Sequence, residues 1–187
     1  MSALLDFIAT PLNGVTIIQR KPHRDERGYF ERMFCSAEFT MEKIQFPIVQ
    51  INHTLTKQRG ALRGLHFQNP PHAEDKIVSC LRGKVFDVAV DLRRSSLTFL
   101  RWHAVELSAD NNRSVLISKG FAHGFQTLTD DCELLYLHSA PFTPDAEVGV
   151  HPEDPRVKIS WPVPITEMSE RDRNHQMLAG DFKGLAP

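Results

Sequence analysis

Short segments in which apolar and polar residues alternate recur along this chain, and they constrain its fold more than any other feature. In the segment KVFDVAVDL, residues 84–92, the apolar side chains fall on one face of an extended chain: Phe86, Val88, Val90 and Leu92. Two aspartates and an alanine fall on the other face. This period of two is that of a β-strand, so the segment is predicted to be one.

Four further segments of the same kind follow: TFLRWHAVELS, SVLIS, FQTL and ELLYLHS. Turn-forming clusters such as SADNNR and TDD separate them. Upstream, KIVSCL at 76–81 is separated from the strand at 84–92 by Arg82 and Gly83, which predicts a hairpin turn. Many short strands of this kind indicate an all-β fold. A sandwich or barrel is expected, with the jelly roll as its natural closed form.

A few peripheral elements complete the predicted architecture. Residues 36–45, SAEFTMEKIQ, are predicted as a short helix with Ser36 at its N-cap. The C-terminal region is rich in proline and charge and is predicted as loops with a short helix, ending in a tail at 176–187. With 187 residues, no repeat and no linker, the chain is expected to form one domain over 1–187.

Composition and charge argue against several classes of partner. The chain has 22 basic and 23 acidic residues and a formal net charge of -1, whereas a nucleic-acid or anionic-membrane partner needs a concentrated positive field. No apolar run reaches transmembrane length, and the N-terminus lacks the basic start of a signal peptide. The three cysteines form no CxxC pair, which fits a reducing compartment. We therefore expect a cytoplasmic protein.

Nine histidines raise the question of a metal site. Strand proteins that bind metals often place two ligands at i and i+2, but the chain has neither HxH nor HExxH. His53, His66 and His123 are far apart in the sequence, and although a barrel could bring them together, no metal is expected. The chain also lacks a GxSxG nucleophile turn and a GxGxxG phosphate loop, so neither a serine hydrolase nor a dinucleotide enzyme is indicated.

The segment LRGLHFQ, residues 62–68, places two costly polar side chains in an apolar strand. Arg63 and His66 are three residues apart, so a regular strand would point them to opposite faces. Both can face one ligand only if Gly64 permits a bulge or bend, or if Arg63 reaches around the end of the strand. Since the ordinary pKa of an imidazole is about 6.5, His66 is a candidate base.

Taken singly, the other acid/base candidates have structural explanations, Tyr136 as a packed core side chain and Asp172 as a helix-capping carboxylate. The longer motifs around them are more specific. They occur in order over roughly residues 14–175 and are DERGYF, QINHT, LRGLHFQ, DKIVSCLRGKVFDVAVDLRRSSLTF, VELSADNNR, GFAHGF, LLY, DPRVKISWP and MSERD. In these motifs the chain resembles the dTDP-4-dehydrorhamnose 3,5-epimerase family, the cofactor-free sugar-nucleotide epimerases.

The resemblance implies a cupin-type jelly roll with no metal and no cofactor, and a homodimer whose subunits exchange an N-terminal strand. It also implies a set of site residues. His66 matches the base, and Asp172 matches the carboxylate that orients it. Tyr136 matches the acid on the opposite face of the sugar, and Lys76 matches the lysine beside the C4 oxygen. The positions that match ligand-binding residues are Arg27, Gln50, Asn52, Arg63, His123 and Glu147.

The implied reaction explains these residue types. A ketone at C4 of the sugar acidifies the hydrogens at C3 and C5, because the resulting carbanion is an enolate. His66 would remove such a proton, Lys76 would stabilise the oxyanion, and Tyr136 would return a proton from the other side. The implied substrate is a nucleotide-diphosphate 4-keto-6-deoxyhexose, inverted at C3, C5 or both. The alternatives are a mono-epimerase of a different sugar nucleotide, a cupin ketoisomerase, a metal-dependent cupin and a non-catalytic sugar-nucleotide-binding cupin.

The chain departs from the family at positions that handle binding. Ile51 replaces an aspartate, Arg32 replaces a glutamate and Arg171 replaces a lysine. Pro141 and Phe142 stand where the family has paired tyrosines, so Phe142 can stack on a base but has no hydroxyl. Arg32, Phe142 and Arg171 therefore join the candidates for substrate binding, and the nucleotide and the exact sugar stay open.

Overall fold

The computed structural model describes residues 3–186. Within that range the chain forms thirteen strands and two short α-helices. The strands are β1 (Leu5–Ala9), β2 (Val15–Arg20), β3 (His23–Asp25), β4 (Gly28–Phe30), β5 (Gln50–Thr56), β6 (Leu62–Gln68), β7 (Lys76–Arg82), β8 (Lys84–Asp91), β9 (Trp102–Ser108), β10 (Arg113–Ile117), β11 (Phe121–Thr127), β12 (Cys132–His138) and β13 (Glu147–Gly149). The helices are α1 (Ser36–Met41) and α2 (Glu170–Arg173).

Most of the strands belong to two antiparallel sheets. The six-stranded sheet has the order β1-β2-β10-β7-β12-β5, and the five-stranded sheet has the order β13-β6-β11-β8-β9. Apolar side chains from both sheets form a shared core, among them Val78 and Leu134 from the first and Val85 and Phe125 from the second. Strands β3 and β4 form a separate hairpin. The prediction of an all-β jelly roll of the cupin type with few, short helices is confirmed.

Strand β8, which covers most of KVFDVAVDL, shows why an alternating segment is buried on both faces. Val85 and Ala89 pack into the core between the two sheets. Val88 and Val90 point the other way and pack in a second cluster with side chains of the C-terminal region. Asp87 shares the inner face and is only 2% exposed, which a carboxylate tolerates only with a partner. The predicted alternation is confirmed, and both of its faces are covered.

The C-terminal region packs on the outer face of the five-stranded sheet as far as Leu185. The backbone N–H of Leu178 donates to Asp154 Oδ2 at 2.5 Å, and Phe182 joins the outer cluster. The carbonyl of Leu185 accepts a hydrogen bond from the Arg94 backbone at 2.9 Å. The segment predicted as a tail at 176–187 is therefore docked from Leu178 to Leu185.

The turn at Arg82 and Gly83 is not a hairpin, and that prediction is wrong. Strand β7 pairs with β10 and β12, whereas β8 pairs with β11 and β9, so the turn carries the chain from one sheet to the other. Gly83 has a φ of +75°, and a Cβ there would lie 2.6 Å from Thr129 Oγ1. The alternation pattern identifies both strands but does not identify their partners.

Helix α1 is shorter than the predicted 36–45, and its N-cap lies one residue earlier than predicted. Cys35, not Ser36, is the N-cap, because its carbonyl accepts the first helical hydrogen bond, from Phe39 N at 3.1 Å. The helix ends at Met41, and Lys43 adopts a φ of 61° that a helix cannot continue through. No helix within residues 3–186 is long and apolar enough to cross a membrane.

Candidate active site

A cavity of about 470 Å³ opens between the two sheets. All but three of the residues predicted for the site line this cavity. The predicted residues that line it are Gln50, Asn52, Arg63, His66, Lys76, His123, Tyr136, Phe142, Glu147 and Arg171. His66 on β6 and His123 on β11 come from the five-stranded sheet. Lys76 on β7 and Tyr136 on β12 come from the six-stranded sheet. The predicted base and the predicted acid therefore enter one cavity from opposite walls.

A bulge in β6 resolves the spacing of Arg63 and His66. In the pairing of β6 with β11, His66 is opposite His123 and Arg63 is opposite Phe125, so three steps on β6 match two on β11. Gly64 has a φ of +130°, and a Cβ there would lie 2.5 Å from the Cα of Gly124. The extra residue shifts the alternation by one position, which lets both polar side chains face the cavity. The predicted role of Gly64 is confirmed.

Asp172 lies behind His66, outside the lining of this cavity. Its Oδ1 is 2.8 Å from His66 Nε2, and its Oδ2 accepts the Gly64 backbone N–H at 3.2 Å. Asp172 belongs to helix α2, which holds its carboxylate in place. The N-cap of this helix is Ser169, not Asp172, and the Ser169 hydroxyl accepts the Asp172 N–H at 3.0 Å.

The protonation of this pair follows from its surroundings. Burial would raise the pKa of Asp172, but the hydrogen bond from His66, the charge of that imidazole and the Gly64 N–H together lower it to about 2. Since an ionised carboxylate only accepts hydrogen bonds, the 2.8 Å contact assigns a proton to His66 Nε2. The other ring nitrogen, Nδ1, is then free to act as the base.

The opposite wall carries a buried ion pair that sequence reasoning missed. Lys76 Nζ lies 3.0 Å from Glu74 Oε1, and both side chains are less than 10% exposed. Gln68 Nε2 donates to Glu74 Oε2, while Gln68 Oε1 accepts the Thr143 N–H at 2.6 Å. The network links the lysine to the loop that bears Phe142. Glu74 stands two residues before Lys76, a spacing that places both side chains on one side of an extended chain.

Tyr136 is surrounded by aromatic rings. Its ring meets His123 edge-on, with centroids 6.3 Å apart, and stacks against His138 at 6.0 Å. Burial raises the pKa of the Tyr136 phenol, so its hydroxyl stays protonated and can donate a proton. Burial, followed by the charge of Lys76, lowers the pKa of His138 to about 4, so this imidazole is neutral at neutral pH. Sequence reasoning missed His138, although it follows Tyr136 by two residues on one strand.

His123 forms a second histidine–carboxylate pair. Its Nε2 lies 2.8 Å from Asp87 Oδ2, and both residues are buried. This contact is the partner that the buried aspartate of β8 requires. Asp87 was not among the predicted site residues, because the sequence pattern places it on the face of the strand opposite the apolar residues without showing what that face meets.

The rim of the cavity is polar. Arg171 Nη1 contacts Glu147 Oε2 at 2.6 Å, and its Nη2 approaches His66 Nε2 to 3.1 Å. The N–H of Phe142 donates to Gln50 Oε1 at 2.9 Å. Two cations, Arg63 and Arg171, therefore line a cavity whose apolar surface includes the Phe142 ring.

Two predicted binding residues lie outside the cavity lining of a single chain. Arg27 stands in the turn between β3 and β4, is 90% exposed and pairs only locally, with Asp25 at 2.6 Å. Arg32 pairs with Glu38 at 2.6 Å, and Glu38 also accepts the N–H groups of Leu4 and Leu5. The replaced residue Ile51 is 59% exposed on the edge strand β5.

Comparisons with known proteins identify relatives over nearly the whole chain. The family model described as dTDP-4-dehydrorhamnose 3,5-epimerase matches residues 9–180. A dTDP-4-dehydrorhamnose 3,5-epimerase of Methanothermobacter thermautotrophicus is 41% identical over 175 residues, which is 92% of this chain and 94% of the relative. A dTDP-4-dehydro-6-deoxyglucose 3-epimerase of a Streptomyces species is 39% identical over 168 residues, 88% of this chain and 85% of the relative.

A solved structure extends the similarity to the fold. The dTDP-6-deoxy-D-glucose-3,5-epimerase of Legionella pneumophila, crystallised with dTDP-4-keto-L-rhamnose, superposes with a TM-score of 0.85 at 38% identity. The match covers 90% of this chain and 89% of the Legionella chain.

Proposed function

The chain belongs to the dTDP-4-dehydrorhamnose 3,5-epimerase family, and we propose that it inverts C3, C5 or both of a nucleotide-diphosphate 4-keto-6-deoxyhexose of the dTDP-4-dehydro-6-deoxyglucose type. As a sugar-nucleotide epimerase it must remove a proton from one face of a carbon and deliver one to the other. The observation that carries the proposal is the placement of His66 and Tyr136 on opposite walls of one cavity, beside Lys76.

Proton removal is assigned to His66. Its Nδ1 takes the proton from the carbon next to the C4 ketone, and the electron pair moves into the enolate. Asp172, ionised and fixed by α2, keeps the imidazole in the required tautomer and stabilises its cationic form, as the acid of a hydrolytic triad does. No redox step takes place, so the reaction needs no electron carrier.

Lys76 is assigned to the enolate oxygen. Its ammonium group stabilises negative charge that develops on the C4 oxygen, which is commonly the largest contribution to catalysis of such steps. The ion pair with Glu74 holds the ammonium group at a defined position in the wall. The charge is thus present before the reaction, and little reorganisation is required when the enolate forms.

Tyr136 completes the inversion. Its protonated hydroxyl delivers a proton to the face of the enolate opposite His66, and the ketone re-forms. The resulting phenolate takes up a proton from solvent, and His66 releases the one it removed. Phe142 can stack on the nucleobase, and the cations Arg63 and Arg171 supply charge complementary to a diphosphate.

We further propose that the active unit is a homodimer in the cytoplasm. The β3–β4 hairpin projects Arg27, and two of its aromatic side chains, Tyr29 and Phe30, are 62% and 66% exposed. Exposed aromatic side chains next to an arginine are typical of interfaces. If the hairpin reaches the cavity of a second copy, then mixing Arg27→Ala with His66→Asn protein should restore activity that neither variant has alone. Absence of such rescue in mixed dimers would refute the exchange.

The experiment that tests the reaction is incubation with candidate sugar nucleotides in heavy water, followed by NMR of the product. We expect deuterium at each inverted carbon. The relatives include both 3,5-epimerases and a 3-epimerase, so incorporation at C3 alone would identify a mono-epimerase. A carbonyl moved from C4 to C3 would identify a ketoisomerase. No incorporation by folded protein into any candidate would refute the enzyme proposal.

A further inference from the structure

His175 is a half-buried histidine that the proposed reaction does not use. It follows α2 and lies against His66, with ring centroids 5.4 Å apart and planes at 75°. Among the residues that the structure describes, none forms a hydrogen bond with its buried Nε2. A buried polar atom without a partner is uncommon and requires an explanation, such as a bound ion or water.

The free nitrogen points at the carboxylate that already serves His66. His175 Nε2 lies 3.6 Å from Asp172 Oδ1, which is too long for a hydrogen bond, while His66 Nε2 lies 2.8 Å from the same oxygen. The three ligand atoms all lie within 4.8 Å of one another. They therefore form a compact set of two imidazole nitrogens and one carboxylate oxygen.

Gly149 makes room for the His175 ring. It stands opposite His66 in the pairing of β13 with β6, and a Cβ at this position would lie 2.3 Å from His175 Nε2. Even an alanine at 149 would therefore push the imidazole away from Asp172. The arrangement depends on a glycine in the strand next to the base.

We propose that His66, Asp172 and His175 bind one divalent transition-metal ion, with Zn²⁺ as the representative ion, and that the bound metal inhibits the enzyme. Two histidines and a carboxylate are a common zinc ligand set, with a fourth position left to water. Each histidine must bind through an unprotonated nitrogen. The metal would thus replace the His66–Asp172 hydrogen bond at Nε2. The proton of the neutral ring would then reside on Nδ1, which could no longer accept the proton of the substrate. His66 and Asp172 are 106 positions apart in the sequence. For this reason the spacing of ligands in the sequence gives no indication of the site.

Arg171 is the group that opposes a cation here. Its Nη2 is 3.1 Å from His66 Nε2 and its Nε is 3.5 Å from Asp172 Oδ1. The side chain is 55% exposed and holds Glu147 at 2.6 Å, so it can move outward while keeping that ion pair. Metal binding should therefore require displacement of a guanidinium, and Arg171→Ala should bind Zn²⁺ more tightly than the wild type.

The test is calorimetric titration of the metal-free, full-length protein with ZnCl₂. We expect one equivalent to bind, and His175→Gln to weaken the affinity by about 100-fold or more, because loss of even an outer partner of a metal ligand costs about 10–100-fold. Gly149→Ala, which keeps all three ligands but displaces the ring, should also weaken it. His53→Gln is the matched control, since His53 is exposed and pairs with Glu133 outside this cluster.

A second readout connects binding to the reaction, and in this respect the inference rests on the proposed function. Zn²⁺ should suppress deuterium exchange by the wild type with the affinity found by titration, and a chelator should restore it. No binding by the wild type, or wild-type affinity in both His175→Gln and Gly149→Ala, would overturn the metal site. Absence of exchange in metal-free protein would instead count against the proposed reaction, and the titration would still report on the cluster.

Discussion

Replacement of Asp172 by asparagine is the perturbation whose size can be worked out most directly. Asparagine keeps the shape of the side chain and one acceptor oxygen but removes the charge. The folded protein lowers the pKa of this carboxyl from 3.8 to about 2. At about 1.4 kcal/mol per pKa unit, the ionised carboxylate contributes about 2 kcal/mol of stability.

The pH dependence has a defined sign. Because the folded-state pKa is the lower one, the unfolded chain binds more protons in the acid range, and the contribution is complete well above pH 3.8. It is lost as the pH falls through the folded-state value of about 2. By linkage, about half of it should remain at pH 3.

The assay is denaturant unfolding of the wild type and Asp172→Asn between pH 3 and pH 7. We expect the variant to be about 2 kcal/mol less stable at pH 7, with the gap narrowing to roughly half at pH 3. Epimerisation should fall by about 10³–10⁴-fold, as when the acid of a hydrolytic triad is neutralised. A gap that does not change with pH, or no gap, would show that the carboxylate is not held as a charged partner of His66.

Substitutions at Gly64, Lys76 and Tyr136 test separate parts of the site. Gly64→Ala should lose about 1–3 kcal/mol of stability, because the φ of residue 64 is +130° and the new Cβ would meet the backbone of Gly124. Thermal unfolding measures this loss, and wild-type stability would contradict the bulge. Lys76→Met should lower kcat about 10²–10³-fold and destabilise the fold by leaving Glu74 unpaired. The double variant with Glu74→Gln should regain stability but not activity, whereas recovery of both would remove Lys76 from the reaction. Tyr136→Phe should still exchange deuterium from the His66 side yet form little inverted product, and a normal epimerisation rate by NMR would exclude it as the acid.

The period-two pattern predicts the strands and the jelly roll but not how the strands pair. Burial and alternation are properties of each segment, so β8 is recognisable by itself. The partners of β7 and β8 depend on the packing of two sheets. For this reason the turn at Gly83 resembles a hairpin in the sequence and crosses between sheets in the structure.

In the candidate site, too, some features follow from a single segment and others depend on the packing of distant segments. His66 and the requirement for a bulge at Gly64 follow from a single strand. The link to Asp172 joins residues 106 positions apart, and it is predictable only through the family resemblance. Glu74 and Asp87 are ordinary acidic residues until their partners, Lys76 and His123, are known, since a buried charge is tolerated only beside such a partner. Arg27 lies outside the cavity lining of its own chain, and the proposal that it serves a second copy rests on the family resemblance.

The central claim is that His66 removes the proton, and deuterium incorporation tests it most directly. Wild-type protein, His66→Asn and the control His53→Gln should be incubated with dTDP-4-dehydro-6-deoxyglucose in heavy water, with folding checked by circular dichroism. Wild type and control should place deuterium at C3, C5 or both, and folded His66→Asn should place none. Incorporation by His66→Asn at the wild-type rate would contradict the account.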